Sequence, residues 1–174
     1  MSKSAVEFRR LTALATPVVI TQVTSMLMGV VDILMVGHLG VDALGGVSLG
    51  RLWLFGTVLF AMGILFGLDP LFSQAHGRRD GRSLGITLQR GMLLALLLSL
   101  PLAFAWAVTG PVLVLLRQKP DLAALAQSYA VVQIPSIPAI LIFAVLRGYL
   151  QGRAIMRPAM WTAIGANLFN VLFN

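Results

Sequence analysis

Between Gly91 and Leu116 the chain carries no charged residue. A helix spans the roughly 30 Å core of a bilayer with about 20 residues. Leu11–Val31, Leu52–Leu68, Leu122–Leu146 and Pro158–Asn174 are equally free of charge. Composition agrees: 58% of residues are hydrophobic and 11% charged, where a soluble domain carries about 25% charged residues. The spacing predicts an all-α, polytopic membrane helix bundle. Its five transmembrane helices run at about 11–37, 43–70, 88–116, 122–147 and 157–174. The first run exceeds the roughly 7–15 apolar residues of a signal peptide and holds Pro17, Gln22 and Asp32, so it reads as a retained helix. The last run stops within an apolar helix, which reads as the N-terminal part of a larger protein.

Basic residues cluster between the runs. Lys3, Arg9 and Arg10 precede the first span. Arg78, Arg79, Arg82 and Arg90 follow the second. Arg147, Arg153 and Arg157 surround the end of the fourth. The opposite side holds Arg117 and Lys119, with Arg51 embedded nearby. Loops rich in Lys and Arg stay cytoplasmic, so the N-terminus is expected inside. The net charge of +7 is thereby accounted for without nucleic acid. The loops are expected at His38–Asp42, Ser73–Ser83, Arg117–Asp121 and Gln151–Arg157, too short for a soluble catalytic domain.

No cysteine is present, which excludes disulfides, thiolate metal sites and cysteine nucleophiles. HExxH, GxSxG and phosphate-binding glycine loops are also absent. His38 and His76 lack metal-ligand partners at useful spacing. The chain reads as a non-enzyme with no cofactor.

Gly46/Gly50, Gly63/Gly67 and Gly148/Gly152 each stand four apart, a spacing that lets helix backbones approach closely. Pro135 and Pro138 are expected to bend or open the fourth span, and Pro17 the first. Trp53, Trp106 and Trp161 read as interfacial anchors.

Polar residues within the runs point to function. Thr21, Gln22, Ser25, Gly29 and Asp32 fall on one stripe at about 100° per residue. Asn167, Asn170 and Asn174 share a face of the fifth span. Such stripes line a hydrated cavity or join helices by hydrogen bonds. A carboxylate at the depth of Asp32 marks an ion or proton pathway, or a fixed ion pair with Arg51. Met28 and Met35 flank Asp32 and offer a soft apolar contact to a greasy substrate. Gln22, Ser25, Met28, Met35, Arg51 and Asn167 are therefore the candidate substrate-cavity residues. Asp69, before Pro70, reads as a solvated helix-end charge or a gate residue.

Val31-Asp32-Ile33-Leu34-Met35-Val36-Gly37-His38-Leu39-Gly40, with Asp42-Ala43-Leu44 after it, resembles the first-helix signature of the multidrug and toxic compound extrusion family. Ser73-Gln74-Ala75-His76-Gly77 is similar to that family's second-helix motif. Arg147-Gly148-Tyr149-Leu150-Gln151-Gly152 with Pro158, and the stretch from Asn167 to Asn174, resemble its fourth- and fifth-helix blocks. The blocks come in family order.

The resemblance implies a twelve-helix transporter of two six-helix lobes in the bacterial inner membrane. Residues 1–174 would then be most of the N-terminal lobe, with the C-terminal lobe missing. It implies export of cationic or amphipathic small molecules by alternating access, coupled to H⁺ or Na⁺, with the fragment inactive alone. Asp32 and Asn170 match the family's coupling site, and Asn174 falls where members carry Asp or Asn. Arg51 stands where a small or neutral residue is expected. A lipid-linked saccharide flippase of the same superfamily and a non-transporting membrane fragment are the alternatives. Membrane lipid is the expected surrounding partner.

Overall fold

The computed structural model describes residues 11–12, 15–16, 18–24, 26–27, 29–30, 34 and 41–173. Side chains are described within residues 44–169 and for the earlier residues just given. Among the described residues the structure is helical, with no strand. The chain divides into two units, Val36–Arg153 and a second that joins Met1–Met35 with Ala154–Asn174.

Within Val36–Arg153 the helices are α1 (Val41–Phe66), α2 (Asp69–Gly77), α3 (Gly81–Ala107), α4 (Thr109–Leu115), α5 (Pro120–Gln133) and α6 (Ile137–Gly152). In the other unit, α7 spans Arg157–Phe173, and residues 18–24 are helical. Three helical stretches among the described residues are long and apolar enough to cross a membrane: Leu44–Gly77, Gly81–Ala107 and Pro120–Gly152. They correspond to the second, third and fourth expected spans.

Local chemistry places the breaks. The second span is interrupted at Gly67 and Leu68, and Asp69 with Pro70 opens α2. Proline is pre-organised for a first helical turn, and an acidic residue there complements the helix dipole. Helix α3 begins at Gly81, seven residues before the expected boundary. Asp80 caps it: the Ser83 N–H donates to Asp80 Oδ1 at 2.9 Å, and the Ser83 hydroxyl donates to Oδ2. The side-chain bond from Ser83, then the backbone one, holds the Asp80 carboxyl below the usual carboxylate range. The expected loop Ser73–Ser83 thus shrinks to Arg78–Asp80. The fourth span opens, as Pro135 and Pro138 predict, into a 3-10 turn at Ile134–Ser136 between α5 and α6.

The third span breaks at Val108, where the expected helix 88–116 is continuous. Pro111 has no N–H for the carbonyl four residues earlier, that of Ala107. Gln127 on α5 supplies the replacement. Its Nε2 donates to the Ala107 carbonyl at 2.9 Å, and its Oε1 accepts from the Gly110 N–H. In lipid an unsatisfied backbone group is expensive, so one amide side chain makes the break tolerable. Gln127→Leu is expected to cost about 1–3 kcal/mol, the penalty for orphaned polar groups. Pro111→Ala restores an N–H and is expected to reduce that cost. A double-mutant cycle on thermal melting checks this, and strict additivity would exclude the shared carbonyl.

Close packing follows small residues. A Cβ on Gly46 would lie 2.5 Å from Leu125 Cβ, and one on Gly50 3.2 Å from the Ala126 carbonyl oxygen. Glycine therefore sets the approach of α1 to α5. A Cβ on Gly148 would meet the Asp69 carboxylate, and one on Gly152 would lie 2.7 Å from Phe72 Cβ. That pair seats α2 on α6. The third pair departs from expectation: a Cβ on Gly63 meets nothing within 4 Å, and one on Gly67 meets only the Ile64 carbonyl of its own segment. Spacing alone does not say whether a second helix lies opposite.

The core runs through Leu54, Leu65, Phe72, Trp106, Ile137, Leu141 and Val145. Trp106 is 1% exposed, and its indole N–H donates to the Thr57 hydroxyl at 2.9 Å. It is a core residue and not the interfacial anchor expected. Trp53 is half-buried and donates to the Ala105 carbonyl at 3.3 Å. Trp161 is 64% exposed.

Candidate functional site

Asn167, on the polar face of the fifth span, meets the first span within one unit. Asn167 Nδ2 donates to the Thr24 carbonyl at 2.7 Å, across 143 residues of sequence. Thr21 and Gly29 are buried, Thr24 and Asn167 half-buried, and Gln22 is exposed. Of the described stripe residues, Thr21 and Gly29 are thus covered and Gln22 is not. A side-chain amide bonded to a helix carbonyl joins the two helices, one of the two roles a polar stripe can serve. Asp32, Ser25, Met28, Met35 and Asn174 lie outside the described residues. Asn170 lies in α7, and its side chain is also outside the description. Arg51 is half-buried on α1, in the other unit.

A second polar cluster gathers where α2 meets α6. Asp69 is half-buried, and its carboxylate lies over Gly148. It is a helix-end charge, as expected, but only partly solvated, because it starts a new helix against a neighbour. Phe72 and Tyr149 meet edge to face with centroids 5.7 Å apart. The Arg153 guanidinium stands 5.3 Å from the Tyr149 ring centroid, and its Nη1 donates to the Tyr149 hydroxyl at 2.9 Å. Cation–π contact and a hydrogen bond together fix this arginine. Arg153 Nε is buried and makes no hydrogen bond. Among the described residues no three of His, Cys, Asp and Glu gather as metal ligands.

Sequence reasoning missed Gln127 and Thr57. Pro111 four residues after Ala107 was the available signal for the first. Nothing local marks Thr57, whose role depends on Trp106 arriving from another helix.

The MatE family model matches residues 17–174, so nearly every element described above falls within one alignment. The chain belongs to the MatE family. It is 37% identical over 172 residues to multidrug and toxin extrusion protein 1 of Xenopus tropicalis. It is likewise 37% identical over 172 residues to multidrug and toxin extrusion protein 2 of Mus musculus. Each alignment covers 97% of this chain, but 29% and 30% of the respective relative. This MatE chain therefore spans under a third of the length of the relatives it matches. Both the Asn167–Thr24 contact and the Asp69 cluster lie inside the matched region.

Proposed function

We propose that residues 1–174 form most of the N-terminal lobe of an antiporter that exports cationic or amphipathic small molecules. Export proceeds by alternating access against H⁺ or Na⁺. The observation that carries this reading is the match over nearly the whole chain to extrusion proteins. The contact between Asn167 and the Thr24 carbonyl supports it, because it brings together the two spans that carry the candidate coupling residues Asp32, Asn170 and Asn174. Gln22, Ser25, Met28, Met35, Arg51 and Asn167 contribute to the substrate cavity. A second lobe completes it.

The test is uptake of a fluorescent cationic dye into proteoliposomes under an imposed proton or sodium gradient. A longer protein containing this chain and a second lobe is expected to move the dye, and this chain alone is not. Gradient-driven movement by the 174-residue chain would overturn the two-lobe reading. Failure of the longer protein with every cationic dye and both gradients would overturn the function.

The N-terminus faces the cytoplasm in this reading, in a bacterial inner membrane. Single cysteines report the topology without background, since the chain has none of its own. Arg79 and Arg117 sit at φ 54° and 62°, so their neighbours Arg78 and Lys119 are better sites. An impermeant thiol reagent on intact cells is expected to label Lys119→Cys and spare Arg78→Cys. The reverse pattern would refute the orientation.

A further inference from the structure

An open groove of about 390 Å³ runs along α1 and reaches the end of α4. That volume lies in the range of small-ligand pockets, roughly 300–1,000 Å³. Its walls include Leu49, Leu52, Trp53, Phe60, Leu113 and Leu116. Arg51 lies on the far side of α1, roughly half a turn away by helical periodicity, so the groove is not the cavity expected around it.

The walls offer an occupant almost no hydrogen bonding. The Trp53 indole N–H is taken by the Ala105 carbonyl. The Thr57 hydroxyl accepts from Trp106 and donates to the Trp53 carbonyl. Gln118, at one end, is the exception among the lining side chains. The groove lies along the membrane-crossing stretch Leu44–Gly77. The apolar surface in and beside the groove is open: Phe60 is 83%, Leu52 69% and the adjacent Leu115 81% exposed. An apolar groove at membrane depth, continuous with an exposed apolar belt, suits a hydrocarbon chain.

The mouth adds charge. Arg117 and Lys119 flank Gln118 in sequence and are both exposed. Asp121 is exposed close by in sequence, which leaves these three residues with one net positive charge. That charge repels a cationic amphiphile and attracts a phosphate. We propose that the groove holds one acyl chain of an anionic phospholipid whose phosphate rests at Arg117 and Lys119. This site stands whether or not the chain takes part in transport.

Trp53 reports on the groove directly. Trp161→Phe removes the exposed indole of the other unit, and Trp106 is buried. The variant is reconstituted in phosphatidylcholine vesicles containing either dibrominated phosphatidylglycerol or dibrominated phosphatidylcholine. Quenching is expected to show roughly five-fold enrichment of the phosphatidylglycerol at Trp53, the factor for one basic charge at an anionic surface. Arg117→Asn with Lys119→Gln is expected to abolish the preference. Gly56→Leu, at a position where a Cβ meets nothing within 4 Å, is expected to fill the groove and reduce quenching by both lipids. Equal quenching by the two lipids overturns the proposal, as does a preference that survives both variants. Absence of quenching by either lipid also overturns it, because protein would then cover the groove.

Discussion

Gly46→Val is expected to lower the stability of the bundle by about 1–3 kcal/mol, the usual cost of forcing atoms into a filled interface. The first added carbon would stand 2.5 Å from Leu125 Cβ. That atom is fixed to its backbone and cannot swing away as a side-chain tip would. Helices α1 and α5 must separate, and Trp53 and Trp106 report the change by fluorescence during melting. Gly152→Val should behave similarly, since its Cβ meets Phe72 Cβ at 2.7 Å and the Phe72 backbone at 3.2 Å. Gly63→Val is the control: it adds the same side chain to the same helix as Gly46→Val, where nothing lies within 4 Å. Equal melting of Gly46→Val and Gly63→Val would show that α1 shifts freely, and the account of close approach would fail.

Asp32→Asn is expected to reduce gradient-driven export by the longer protein to background while leaving its membrane level unchanged. The proposal rests on the position of Asp32 in the sequence, a lone carboxylate within the first apolar span on a stripe of polar residues. Burying such a group is costly, and one kept at that depth marks an ion or proton path by default. Asparagine keeps the size and some hydrogen bonding but carries neither charge nor exchangeable acid. Imposing proton and sodium gradients separately identifies the coupling ion in the parent protein. Export at the parent rate by Asp32→Asn would make the residue structural and place coupling in the other lobe.

The apolar runs and their prolines made the helical class and the opening at Ile134–Ser136 legible, because both depend on residues close in the chain. Charge-free length is a local property, and so is a missing N–H. The Asp80 cap is also local, but the arginines around it mask the helix start, so α3 begins earlier than the charge pattern suggests. Asn167 was placed on a polar face from periodicity, which holds for any helix. That the face meets the Thr24 carbonyl depends on which helix lies opposite.

The same distinction separates the glycine pairs. Gly46/Gly50, Gly63/Gly67 and Gly148/Gly152 look alike as spacing, yet among the described residues two pairs receive a neighbouring helix and one does not. Trp106 and Trp161 both read as anchors, but only Trp106 has Thr57 brought to its indole. Asp69 is a terminal charge by sequence, and only the arrival of α6 half-buries it. Sequence by itself determined where the chain is apolar, where it can break and which residues are too polar for lipid. Tertiary structure alone decided which of those features meet, because a helix exposes several faces and its one-dimensional pattern does not say which face a distant helix will cover.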